Sequence, residues 1–78
     1  MYVFNNNAYF TINTPVIATT VLSLHSIDGK KIQQFYYGRI SSGVNDFQFE
    51  IGNIANGLYI LSADINGKKH QVKVEILN

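Results

Sequence analysis

From residue 44 to residue 51 apolar and polar side chains alternate with little interruption: Phe47, Phe49 and Ile51 fall on one side, Asp46, Gln48 and Glu50 on the other. A period of two is that of an extended strand with one face buried, and a slip of one residue would bury the charges, so the pattern fixes register as well as element. The same reading predicts a strand over 8–13, where Tyr9 and Thr11 alternate with Phe10 and Ile12. It predicts another over 17–26, with Leu22 and Leu24 facing the core and Ser23 and His25 facing away. Further strands are expected over 31–37, 58–65 and 68–77. Segment 58–65 is largely apolar on both faces, which suits the middle of a sheet, and the last alternates Val72, Val74 and Ile76 with Lys73 and Glu75. Tyr36 and Tyr37 occupy opposite faces, so at least one is exposed.

The gaps between these runs carry turn chemistry. Asp28-Gly29 and Asn66-Gly67 are hairpin dipeptides, because Gly, Asn and Asp accept the positive φ of a tight turn. Gly38 is expected to end the third strand and to open a polar loop through Ser41, Ser42 and Gly43, with Asn45 just beyond. Asn53, Asn56 and Gly57 bracket Ile54 in a second connection. Pro15 cannot donate to a ladder and marks an edge or the start of a strand. No stretch of 11 or more residues carries a 3.6-residue apolar stripe with caps at both ends. The chain therefore reads as all-β, an immunoglobulin-like antiparallel β-sandwich of about six to seven strands occupying residues 8–78. Residues 1–7, ending in Asn5-Asn6-Asn7, read as a linker or disordered start.

Composition narrows what such a domain could do. The 78 residues allow one thin core, and 46% apolar content is enough to fold it. Six Lys/Arg against five Asp/Glu leave a net charge of +1, too little field to gather phosphates, so nucleic acid is not an expected partner. The doublets Lys30-Lys31 and Lys68-Lys69 sit beside glycines and read as solvated turn residues. The chain has no cysteine, which excludes disulfides, thiolate metal sites and cysteine nucleophiles. No apolar run approaches the roughly 20 residues that span a bilayer, and the first residues lack a secretory leader. Export would depend on a leader elsewhere on a longer chain.

Catalytic chemistry is not legible. The two histidines, His25 on a polar strand face and His70 just past a turn, have no nucleophile elbow near them in sequence. Asp28 is a turn residue, Asp46 and Glu50 belong to a solvated face, and Asp64-Ile65-Asn66-Gly67 is a hairpin rather than a calcium loop. No cofactor, metal or catalytic residue is expected.

Taken in order, Asp28-Gly29-Lys30, Gly43-Val44-Asn45, Ala55-Asn56-Gly57-Leu58-Tyr59 and Asn66-Gly67-Lys68 form a set that resembles the C-terminal sorting domain, type A, of the Bacteroidota type IX secretion system. The resemblance runs from about Tyr9 to Leu77. It implies an immunoglobulin-like sandwich at the end of a larger exported protein, one that directs its cargo from the periplasm through the outer membrane for surface attachment or release. Its implied partners are the secretion machinery, the processing protease and the N-terminal cargo domains. The chain departs from the family pattern in having Asn13-Thr14-Pro15 where an Asn-Pro pair is usual, and in its ending.

A recognition feature for a translocon is expected at the last strand: Lys73, Val74, Glu75, Ile76, Leu77 and Asn78. An edge strand offers unpaired backbone, and Lys73 serves equally as a guard against edge aggregation. Asp28, Gly29, Gly43, Asn45, Gly57, Tyr59, Asn66 and Gly67 are the expected turn residues. The alternative is a generic immunoglobulin-like adhesion or spacer domain that binds protein or carbohydrate through Phe35, Tyr36 and Tyr37.

Overall fold

Two antiparallel sheets face each other in the computed structural model, which describes residues 1–77. In chain order the strands are β1 (Tyr2–Phe4), β2 (Asn7–Thr14), β3 (Ala18–Ser26), β4 (Lys31–Ile40), β5 (Gly43–Glu50), β6 (Gly57–Ile65) and β7 (Lys68–Ile76). One sheet has the order β1-β2-β5 and the other β4-β3-β6-β7. Hairpins join β1 to β2, β3 to β4 and β6 to β7, while the chain changes sheet after β2, β4 and β5. This is an all-β antiparallel sandwich, with seven strands among the described residues. Segment 58–65, read as a central strand, becomes β6 and lies between β3 and β7.

The start of the chain corrects the sequence reading. Residues 1–7 contain a strand, because Asn5 and Asn6 hold φ of 51° and 61° and make a two-residue turn that pairs Phe4 with Asn7. Asparagine tolerates the left-handed region better than other non-glycine residues, and two in succession supply both positive-φ positions of a type I′ turn. The same turn type recurs at Asn66-Gly67, with φ of 53° and 82°. Val3 thereby reaches the core, and the Asn6 carbonyl accepts the Ile51 amide at 2.9 Å.

β4, the strand expected over 31–37, runs on to Ile40 instead of stopping at Gly38. Gly38 makes room here: a Cβ would stand 3.1 Å from the Tyr36 hydroxyl and press it aside by a few tenths of an ångström, and that hydroxyl reaches past Gly38 to donate to the Arg39 carbonyl at 2.7 Å. The strand also carries a bulge. Leu22 faces Tyr36 but Ser23 faces Gln34, so Phe35 is the extra residue. The bulge points both Phe35 and Tyr36 at the opposite sheet. Phe35 stacks on Phe49 at 5.0 Å between ring centres and meets Phe10 at 6.4 Å, while Tyr36 meets Phe47 edge-on at 5.4 Å. Phe35 and Tyr36 are thus half-buried with their rings turned to the opposite sheet, and of the three only Tyr37 is exposed, at 71%.

Beside this aromatic layer lies an aliphatic cluster of Ala8, Leu24, Ile51, Ile54, Leu61, Val74 and Ile76. Leu22 and Leu24, the expected core pair, are fully buried. Thr20 is buried too, and its hydroxyl has no hydrogen-bond partner among the described residues. An unpaired buried hydroxyl costs about 1–3 kcal/mol. Thr20→Val, which keeps the shape and removes the hydroxyl, is expected to raise the urea midpoint. Leu24→Ala is expected to lower stability by about 2–5 kcal/mol in the same denaturation experiment, through the cavity it leaves.

Candidate functional site

The sequence-predicted turn residues each have a definite mechanical role. Asp28 and Gly29 lie in a three-residue loop between Ser26 and Lys30, not in a two-residue turn. The Gly29 amide donates to the Ser26 carbonyl at 2.9 Å and the Ser26 amide to the Lys30 carbonyl at 2.8 Å. Gly29, with φ of 95°, supplies the left-handed residue that such a loop needs. Asn45 donates its side-chain amide to the Ser41 carbonyl at 2.8 Å and to that of Gly43 at 3.3 Å, bracing the corner where the chain leaves one sheet for the other. Tyr59 donates its hydroxyl to the Ala55 carbonyl at 2.6 Å and so clamps the segment that feeds β6 from Gly57. Asn66 accepts the Thr19 amide at 2.9 Å through its side chain and donates its own amide to the Thr19 carbonyl at 2.8 Å, tying the β6–β7 turn to β3.

β7 is an outer strand, paired among the described residues with β6 on one side only. Within it Lys73 and Glu75 face outward, whereas Val74 and Ile76 are 8% and 0% exposed and belong to the aliphatic cluster. Val74 and Ile76 are therefore placed as packing residues. In a recognition feature on this strand they would offer backbone rather than side chains, for the alternation that exposes Lys73 and Glu75 necessarily buries their neighbours. Leu77 is 64% exposed just past the strand, and Asn78 lies outside the described residues.

The outer face of the four-stranded sheet holds a shallow groove of about 210 Å³ lined by Val21, Ser23, His25, Lys31, Ser62, Asp64 and Lys69. Ser23 was expected to face solvent; it is 5% exposed, as is its cross-strand partner Ser62. Small side chains in the two central strands are overshadowed by the longer ones around them. The Ser23 hydroxyl and His25 Nε2 lie 3.0 Å apart. Nucleophilic chemistry asks for a third group that orients the imidazole. The acid of this groove, Asp64, pairs with Val21, four residues or about 13 Å along β3 from His25. Among the described residues no cluster of three or more His, Asp or Glu side chains has metal-binding geometry, and no helix is long and apolar enough to cross a membrane.

Comparison with protein-family models, with curated proteins and with solved structures returns no match.

The Asp28 carboxyl is held below its ordinary pKa, first by the Ser26 hydroxyl that donates to it and next by the Lys30 backbone amide. A carboxyl lowered in the folded state contributes stability above its unfolded pKa and loses it as pH falls through the folded value. The thermal midpoint should therefore fall on acidification below the usual aspartate range, and Asp28→Asn should flatten that part of the profile. A profile unchanged by the substitution would remove Asp28 as the acid-sensitive turn group; circular dichroism melts across acidic pH make the comparison.

Proposed function

We infer that this domain is an address module for a larger exported protein, read by the type IX secretion machinery, with the periplasm as its transit compartment and the cell surface or medium as its destination. The support is the ordered turn set that resembles the sorting domains. The observation that carries the reading furthest is the position of β7: an outer strand, with one side of its backbone unpaired by any other strand among the described residues. A receptor that adds a strand there gains main-chain hydrogen bonds, and Lys73 and Glu75 would supply the side-chain discrimination. The N-terminal cargo domains, the translocon and its processing protease are the partners this reading requires, and any enzyme activity would reside in the cargo. Phe35 and Tyr36 are committed to the interior, so they lend no support to an adhesive surface built on them.

The test is a fusion of residues 1–78 to a periplasmic reporter in a Bacteroidota host that secretes by this route. The expected result is reporter at the surface or in the medium. The double charge reversal Lys73→Glu with Glu75→Lys should strand it in the periplasm, and Tyr37→Ala should not. These substitutions leave Val74 and Ile76 in place, so the variant keeps its core and loss of export can be separated from unfolding. A folded, stable wild-type fusion retained in the periplasm would sink the reading.

A further inference from the structure

The outer face of the three-stranded sheet carries its own arrangement of side chains. Cross-strand pairing places Tyr2, Tyr9 and Gln48 in one row and Phe4, Asn7 and Glu50 in the next. Tyr2 and Tyr9 stack with ring centres 5.0 Å apart and planes inclined by 16°. Tyr2 remains 65% exposed and Phe4 62%. Aromatic rings this open on a short outer strand bring the fold little burial, yet Tyr9 holds the Tyr2 ring in one orientation, which lowers the cost of ordering it for a ligand. Two residues apart on β1, Tyr2 and Phe4 are separated by about 7 Å, a distance that one disaccharide spans.

A polar cleft of about 310 Å³ adjoins this strip, lined by Asn5, Asn6, Asn7, Glu50 and Gly52. Its shape is set by the Asn5-Asn6 turn, which the Asn7 side chain braces by donating to the Asn5 carbonyl at 2.9 Å. Amides and a carboxylate beside exposed rings match a ligand that has both apolar C–H faces and many hydroxyls. A protein partner fits less well, since it would cover Glu50 with no cation nearby and protein interfaces deplete charge at their centres. Charge narrows the ligand further. β1, β2 and β5 contain no Lys or Arg, while Asp46 and Glu50 lie on this face. Sulfated or uronic-acid chains would be repelled.

We propose that the outer face of the β1-β2-β5 sheet binds a neutral saccharide chain. Tyr2, backed by Tyr9, and Phe4 stack on sugar rings, and Asn7, Gln48 and Glu50 take the hydroxyls. The site lies on the opposite sheet from β7 and is independent of the address reading.

The test is titration of the ¹⁵N-labelled domain with neutral hexasaccharides of β-1,4-glucan, xylan, β-mannan and α-1,4-glucan type. At least one is expected to shift the amides of Tyr2–Phe4, Asn7–Tyr9 and Gln48–Glu50 selectively. Tyr2→Ala and Phe4→Ala should each weaken that binding by about tenfold, and Glu50→Gln should weaken it while keeping amide dispersion intact. Tyr37→Ala, on the other sheet, should leave it within about twofold. No shift with any of the four at millimolar concentration would overturn the proposal. So would a response mapping to the Lys31 and Lys69 groove, or one that appears only with a sulfated glycan. Concentration-dependent self-association abolished by Tyr2→Ala, with no saccharide response, would assign the face to a protein contact and overturn it as well.

Discussion

Beside its aliphatic cluster, the sandwich is closed by one aromatic contact between its sheets: the rings of Phe10, Phe47 and Phe49 on one side against Phe35 and Tyr36 on the other. A chain of 78 residues without cysteine has no covalent staple and a small core. Its long-range ladders, β2 with β5 and β3 with β6, join partners from 29 (Thr14 with Gly43) to 45 (Thr20 with Ile65) residues apart, and closing such loops costs entropy before any contact repays it. Large aromatic surfaces that also stack return the most free energy per residue ordered. The bulge at Phe35 is what makes the layer possible, because regular alternation would have sent either Phe35 or Tyr36 to solvent.

That bulge also marks the limit of what the sequence could show. Strand existence and inward faces were legible wherever apolar and polar residues alternate, as at Phe47, Phe49 and Ile51, and hairpins were legible at Asp28-Gly29 and Asn66-Gly67. The register shift in β4 leaves no local trace, since it is decided by which rings can meet across the sandwich. The Asn5-Asn6 turn did leave one, two adjacent residues that tolerate positive φ, but a polar tract near the start of a chain has the same composition as a linker. Ser23 and Ser62 were unreadable for another reason. Burial on an outer sheet face depends on the length of neighbouring side chains on other strands, Lys31 and Lys69 among them, and so on pairings that sequence alone does not give.

For the candidate sites the same division holds. The turn residues could be found because their roles are local: Asn45 reaches two and four residues back, Tyr59 four. The aromatic strip on β1 could not, because Tyr2 meets Tyr9 only once the Asn5-Asn6 turn has folded. Charge is segregated in a way that follows from the strand order. Every Lys and Arg lies on the four-stranded sheet or its hairpin turn, and the three-stranded sheet carries Asp46 and Glu50 alone. A net charge of +1 therefore conceals one basic and one acidic face, and the two sheets present different chemistry to whatever approaches them.

The alternation in β7 constrains how an address on this strand could be read. Val74 and Ile76 pack with Leu24, Ile51 and Leu61, so a receptor that gripped these residues as an unfolded peptide would first have to extract two core side chains and strip β6 of one of its two strand partners. In a domain of this size that opening approaches global unfolding, which for small proteins costs about 5–15 kcal/mol. A receptor that pairs with the free side of β7 leaves the core intact and meets Lys73 and Glu75 already oriented. Recognition through the folded strand is thus the cheaper route, and under the proposed function it would make correct folding of the domain a condition of the address being legible at all.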